Sequence, residues 1–292
     1  MAFPVMTLAF QIEPSVARDF SVMIQTVGMT CASFSILFMR VRIEWHALVF
    51  GSIGGSIGLV LGLYFIDPLM TPPMKKMIFT SIFFAFASVL LFINRNHKRP
   101  TFDKIVELSR WKVLVLILTG AIGGVLTSFA GNGLDVATFS ILTLLFRLSE
   151  KVATPTSVIL MALNSALAFF WRGVVRQEIS DDALEFMLVC VPIVVIGAPV
   201  GSVLGTHFHR LVLAGIVIFL DIFALIAAYV VVPLTPMLIG LSLGIIVICV
   251  IFFGIIFWAI TETLSTEGDD TSFFAGWAVA LRDRPLWIYA LV

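Results

Sequence analysis

One feature constrains this chain above all others: it repeatedly runs for about twenty residues without an Asp, Glu, Lys or Arg. The charge-free stretches are Phe20–Met39, His46–Ile66, Met77–Asn94, Val113–Leu134, Val152–Trp171 and Phe186–His209. A longer one, Leu211 to Thr261, is interrupted only by Asp221 and divided by Pro233 and Pro236. A helix of about 20 apolar residues crosses roughly 30 Å of hydrocarbon. Unpaired backbone groups are costly in lipid, so such segments must be helical. Only 12% of the 292 residues are charged, about half the usual share of a soluble domain. The 18 basic and 18 acidic residues balance, which leaves no excess positive field to attract nucleic acid. The expected fold class is all-α: a polytopic integral membrane protein with about seven full spans. A soluble single-core enzyme, a disordered chain and a secreted disulfide scaffold are excluded.

One segment departs from the simple pattern. Val113–Leu148 has 36 residues, about 54 Å if helical throughout, which is too long for one crossing and short for two. Its centre, Ser128-Phe129-Ala130-Gly131-Asn132-Gly133, is poor helix sequence. The expectation is a broken, re-entrant hairpin, and such breaks at membrane depth must be buried in protein or line water. The organisation then reads as a first, incomplete repeat at 1–94, a basic loop at 95–112 and a second repeat with the hairpin at 113–232. A last helix at 233–260 and a polar, then aromatic, tail at 261–292 complete it. The loop Arg95–Lys112 holds six basic residues against two acidic ones and is the expected cytoplasmic side. Lys75 and Lys76 oppose that assignment weakly.

Two glycine stripes, Gly54-xxx-Gly58-xxx-Gly62 and Gly197-xxx-Gly201-xxx-Gly205, share a constant offset of 143 residues. Small-xxx-small stripes are common helix-packing surfaces in lipid. Here each is preceded by an apolar helix ending near an Arg (Arg40 and Arg42; Arg172) and followed by a basic turn. The pattern predicts two degenerate repeats. The first lacks an equivalent hairpin, since Met1 to Asp19 reads as too short and too polar for one.

Polar residues concentrate at the break: Thr127, Ser128, Asn132, Asp135, Thr138 and Ser140, followed by Thr154, Thr156, Ser157 and Asn164. Hydroxyls and free N–H groups at helix starts suit an oxyanion, and Gly131 and Gly133 let backbone approach a ligand closely. Asp135 and Asp221 are carboxyl groups in apolar surroundings, costly unless neutral, paired or wet. They are the candidates for proton or ion coupling. Arg42 and Arg172 close their spans, where long basic side chains reach the interface; attracting anions at a pathway mouth is their second reading. His207 and His209 do not share a helix face, and no metal site is expected. Cys31, Cys190 and Cys249 lie in apolar stretches without ligand spacing and read as buried thiols. There is no P-loop, zinc-protease, nucleophile-elbow or dinucleotide motif. Neither an enzyme nor a bound cofactor is expected.

The run Gly120-Ala121-Ile122-Gly123-Gly124-Val125-Leu126-Thr127-Ser128-Phe129-Ala130-Gly131-Asn132-Gly133 resembles the hairpin that opens each repeat of the TauE/SafE sulfite exporters. Glu150 to Ser157 is similar to that family's stretch at the next span, and the resemblance extends over about Phe20 to Val232. It implies a transporter of small sulfur oxyanions or organosulfonates. Gly123, Gly124, Ser128, Gly131 and Gly133 would line the hairpin, with Thr154, Thr156 and Ser157 at the following helix. The family's next glycine is Leu134 here, followed by Asp135. The expected function is a secondary permease for sulfite, sulfate or an organosulfonate, proton-coupled through Asp135. The expected partners are a small anion and the lipid bilayer, with self-association open; the plasma membrane is the expected site. A different class remains: a non-transporting scaffold that binds its partner through the tail.

Overall fold

In a computed structural model of the protein, residues 2–95, 102–105, 108–207, 210–233 and 235–266 are described. They are helical, with one isolated bridge between Phe102 and Leu148 and no strand among them. The chain divides into Met1–Val250 and Ile251–Val292. In the second unit the helix begun at Pro236 runs to Thr266. The predicted tail beyond it lies outside the described residues, as do 96–101 and 106–107 of the basic loop.

Helix α1 (Ala2–Pro4) runs into a π-helical turn at Val5–Ala9. Then come α2 (Pro14–Phe38), α3 (Trp45–Leu61), α4 (Pro72–Arg95), α5 (Arg110–Ala130) and α6 (Leu134–Leu144). The order ends with α7 (Glu150–Phe170), α8 (Asp181–His207), α9 (Arg210–Val231) and α10 (Pro236–Thr266). Starts are set locally: Pro14 opens α2 where a missing N–H costs nothing, and Glu150 and Asp181 place acid at the positive ends of α7 and α8. Among the described residues, five helical stretches are long and apolar enough to cross a membrane: Pro14–Phe38, Trp45–Leu69, Arg110–Ala130, Glu150–Val175 and Asp181–Ser202. The helices α4, α9 and α10 stand where further spans are expected.

The anomalous segment breaks where glycine permits it. Helix α5 ends at Gly131, whose φ of 74° is left-handed and whose N–H donates to the Thr127 carbonyl. Gly133, with φ 154°, begins α6. A full-length α5 thus returns as an eleven-residue half-helix.

Helix α2 packs on α7 and α8, α4 on α9, and α3 on α5 and α7. The α3–α5 contact is the closest. Gly54 and Gly58 meet the backbone of Ile117 and Ala121, while Gly120 and Gly124 meet Gly51 and Gly55. The two helices run parallel, glycine into glycine, with no room for a Cβ. The second stripe behaves differently: nothing lies within 4 Å of where a Cβ would stand at Gly197 or Gly201. Identical spacing packs backbone to backbone on α3 and faces open space on α8.

A repeated backbone pattern appears at the starts of α2 and α7. Phe10 N–H donates to Val5 O and Ile12 N–H to Met6 O; 136 residues later Phe146 donates to Ile141 and Leu148 to Leu142. Between them Gln11 (φ 54°) and Arg147 (φ 51°) are both left-handed at that offset. The N-terminal segment thus has the backbone trace of the end of α6 and is packed, with Phe3, Met6, Thr7 and Leu8 buried. Reading it as merely too short and too polar missed this. The three cysteines also differ from expectation: all are free and half-buried, not buried.

Candidate functional site

The hairpin turn is wedged among helices. Gly131 lies against the Arg18 carbonyl and Ser21 of α2, and Leu134 reaches Gly123 of α5 and Gly55 of α3. Leu134 is wholly buried and packs with Ile159, Leu160 and Met161. An apolar side chain therefore fills the space where the resemblance puts a glycine. Asn164 of α7 places its Oδ1 beside Gly55, next to that leucine. On the side facing α4 the turn is tight: the space lined by Phe129, Ala130, Asn132, Phe79 and Phe83 has no room for a water molecule.

The hydroxyls singled out by sequence divide into two groups. Thr127 donates to Gly123 O, Ser128 to Val125 O, Thr156 to Val152 O and Ser157 to Thr154 O, at 2.6–2.9 Å. Ser140 donates to Val136 O in the same way. Their protons are committed to their own helices, the usual solution for a hydroxyl in lipid. Thr156 also accepts the N–H of Glu44 at 3.0 Å, which ties α7 to the start of α3. Thr154 is exposed. The second group is buried without partners: Asn132 Oδ1, Asp135 Oδ1, Thr138 Oγ1 and both amide atoms of Asn164, together with Ser21 Oγ and Gln25 Oε1 of α2. Buried polar atoms are paired in most proteins, so a concentration of orphans calls for a water, an ion or a ligand. Ser21 and Gln25, one helical turn apart, were not singled out by sequence. The Asp135 carboxylate lies within reach of the backbone N–H groups of Gly133 and Val136, so it occupies the positive end of α6 itself.

Asp221 belongs elsewhere. It is buried on α9, whose packing partners are α4 and the N-terminal π-turn, so the structure does not bring the two candidate coupling carboxylates together. Arg42 is exposed, paired with Asp103 at 2.7 Å. Arg172 does not reach for the interface. It is 5% exposed and lies against Asp19, Nη2 donating to Oδ2 at 3.0 Å and Nε 2.7 Å from Oδ1. Asp19 also binds Arg18, which reaches Asp67, which in turn binds Lys75. Glu178 pairs with both Arg172 and Arg176. This network joins the starts of α2 and α4 to the ends of α3 and α7, beside the hairpin turn. The sequence places Arg18, Asp19, Lys75 and Arg172 at ends of apolar stretches, which is its one visible signal. Their pairing across 153 residues is not visible there.

Membrane-length apolar helices, a glycine-broken half-helix and unpartnered polar atoms around it define a polytopic membrane transporter of the discontinuous-helix kind. The comparison with known families gives the particular one: the sulfite exporter TauE/SafE profile matches residues 1–227. The chain belongs to that family, whose members are transporters and not enzymes. Membership makes it a multi-pass membrane permease of the sulfite and anion exporter type. No curated relative and no solved structure matches it.

Proposed function

We propose that the protein is a secondary permease for a small sulfur oxyanion such as sulfite, sulfate or an organosulfonate, acting at the plasma membrane. The anion would bind between α2, the hairpin turn and α7. The observation that carries this is the set of buried, unpartnered polar atoms there: Ser21, Gln25, Asn132, Thr138 and Asn164. Asn164 Nδ2 and the Ser21 and Thr138 hydroxyls are donors not committed elsewhere. Thr127, Ser128, Thr156 and Ser157 would serve by shaping the helices rather than by donating, because their protons are spent. Gly131, Gly133 and the exposed Thr154 would act only through backbone geometry or the pathway rim.

Asp135 supplies the coupling. An ionised carboxylate at the start of α6 competes with an incoming anion for the same N–H groups. Protonation removes the negative charge and lets the anion approach, so proton and anion travel together. Asp221, on the far packing layer, is at most a second coupling site. The matching hydrogen bonds and left-handed residues 136 apart support two degenerate repeats. The glycine stripes are offset by 143, so seven extra residues, about two helical turns, enter the second copy between them.

The test is sulfite and sulfate flux into proteoliposomes with and without a proton gradient. The expected result is gradient-dependent flux that loses its pH dependence in Asp135→Asn. Unchanged flux at every pH overturns the coupling. Absence of flux from folded protein overturns transport and leaves the scaffold reading.

A further inference from the structure

We propose that Arg172 is a substrate-contacting gate residue. Its guanidinium is held by Asp19 when the pathway is shut, and it is transferred to the transported oxyanion when the pathway opens on the hairpin-turn side. The proposal rests on the transport reading above and adds to it a site that none of the hairpin residues provides.

The geometry singles out this pair. Asp19 and Arg172 are both at least nine-tenths buried and link the first turns of α2 to the end of α7. Asp19 faces two guanidinium groups, Arg18 and Arg172, and the connected pairs join four cations to three carboxylates. Among the described residues these pairs thus carry one more positive than negative charge. Arg172 Nε sits 2.7 Å from Asp19 Oδ1 but outside hydrogen-bond alignment, so Asp19 holds the fork by charge with only one aligned hydrogen bond, from Nη2. The neighbouring Trp171 indole N–H is also buried without an acceptor. Both residues ride on a π-helical turn, Trp171–Val175. Such turns interrupt the regular ladder and recur at functional sites. On the other side, Arg18 contributes its carbonyl to the surface against which Gly131 turns. The pair therefore stands next to the hairpin.

The chemistry follows from charge and shape. A carboxylate and a sulfur oxyanion offer a guanidinium the same pair of oxygens. Parting the two leaves Asp19 with Arg18, but leaves the buried Arg172 guanidinium with only the half-exposed Glu178, a costly loss of its buried counter-charge. Release of Arg172 from Asp19 is therefore favoured when another anion takes that place. Opening is thereby tied to the presence of substrate, and an empty carrier stays shut.

Proteoliposome sulfite flux, together with the thermal shift that sulfite and sulfate give the purified full chain, tests this. Arg172→Lys keeps the charge but loses the fork, and should raise the sulfite KM roughly tenfold, the loss of about one charge-assisted hydrogen bond. Asp19→Asn removes the competitor and should lower KM while adding leak without substrate. A purely structural ion pair predicts instead that both substitutions impair flux in the same direction. The exchanged pair Asp19→Arg with Arg172→Asp supplies the second arm. It should regain much of the thermal stability lost in Arg172→Asp alone and regain no flux. Restored flux in the exchanged pair, or parallel KM changes in the single variants, overturns the proposal. If the native chain shows no flux, the transport reading fails. The gating role falls with it, and Arg172 stands as an anion contact only if sulfite still stabilises the protein and Arg172→Gln abolishes that shift; no shift overturns that contact too.

Discussion

Adding a single methyl group at Gly58 tests the packing that positions the hairpin. An alanine Cβ there would lie 2.7 Å from the Cα of Ala121, with that residue's carbonyl oxygen closer still. Carbon atoms in contact prefer about 3.5–4.0 Å, so α3 and α5 have to part by about 1 Å. The obstacle is backbone on both sides and no side chain can swing away. Overpacking of this kind costs about 1–3 kcal/mol. Parting the helices also costs each displaced contact a quarter to a half of its roughly 0.1–0.2 kcal/mol well. The expected total for Gly58→Ala is about 2–4 kcal/mol, or on the order of 5–10 °C in Tm for a chain of this size. Gly201→Ala is the matched control, since the second stripe has the same spacing and open space around it. Its Tm should stay level or rise slightly, because alanine is the better helix former. Tryptophan fluorescence during thermal unfolding in detergent reads both. Equal destabilisation of the two variants, or none at Gly58, would refute the claim that backbone-to-backbone contact and not the motif sets the cost.

Other substitutions probe the turn and the opposite end of the bundle. Gly131→Ala forces a Cβ into a left-handed conformation, costing about 1–2 kcal/mol; flux should fall more than Tm indicates, and a fully active variant contradicts the role of the turn. Glu44 is buried and accepts from the Ile105 N–H and from His46. Glu44→Ala should cost about 1–3 kcal/mol and speed hydrogen exchange at Ile105, measured by mass spectrometry. Arg42→Ala removes only an exposed pair, so a loss above about 1 kcal/mol would mean that Asp103 anchors more than its geometry shows.

Much of the architecture was legible because lipid is an unforgiving solvent. Charge-free runs of span length must be helices, and a segment too long for one crossing breaks most cheaply at Gly131-Asn132-Gly133, since glycine takes left-handed backbone angles without steric cost. The family resemblance followed from the same glycine run. The sequence could not say which of two identical glycine stripes would be packed against. That depends on whether a neighbouring backbone arrives, as α5 does on α3. Nor could it separate hydroxyls that donate to their own helix, such as Thr127, from buried groups left without partners, such as Asn164; one residue type serves both uses. The pairing of Asp19 with Arg172 was hidden for a related reason. In a sequence each is a charge at the end of an apolar run, free to reach the interface. Only the packing of α2 on α7 removes them from water together, and burial is what turns two unremarkable end residues into an obligatory pair.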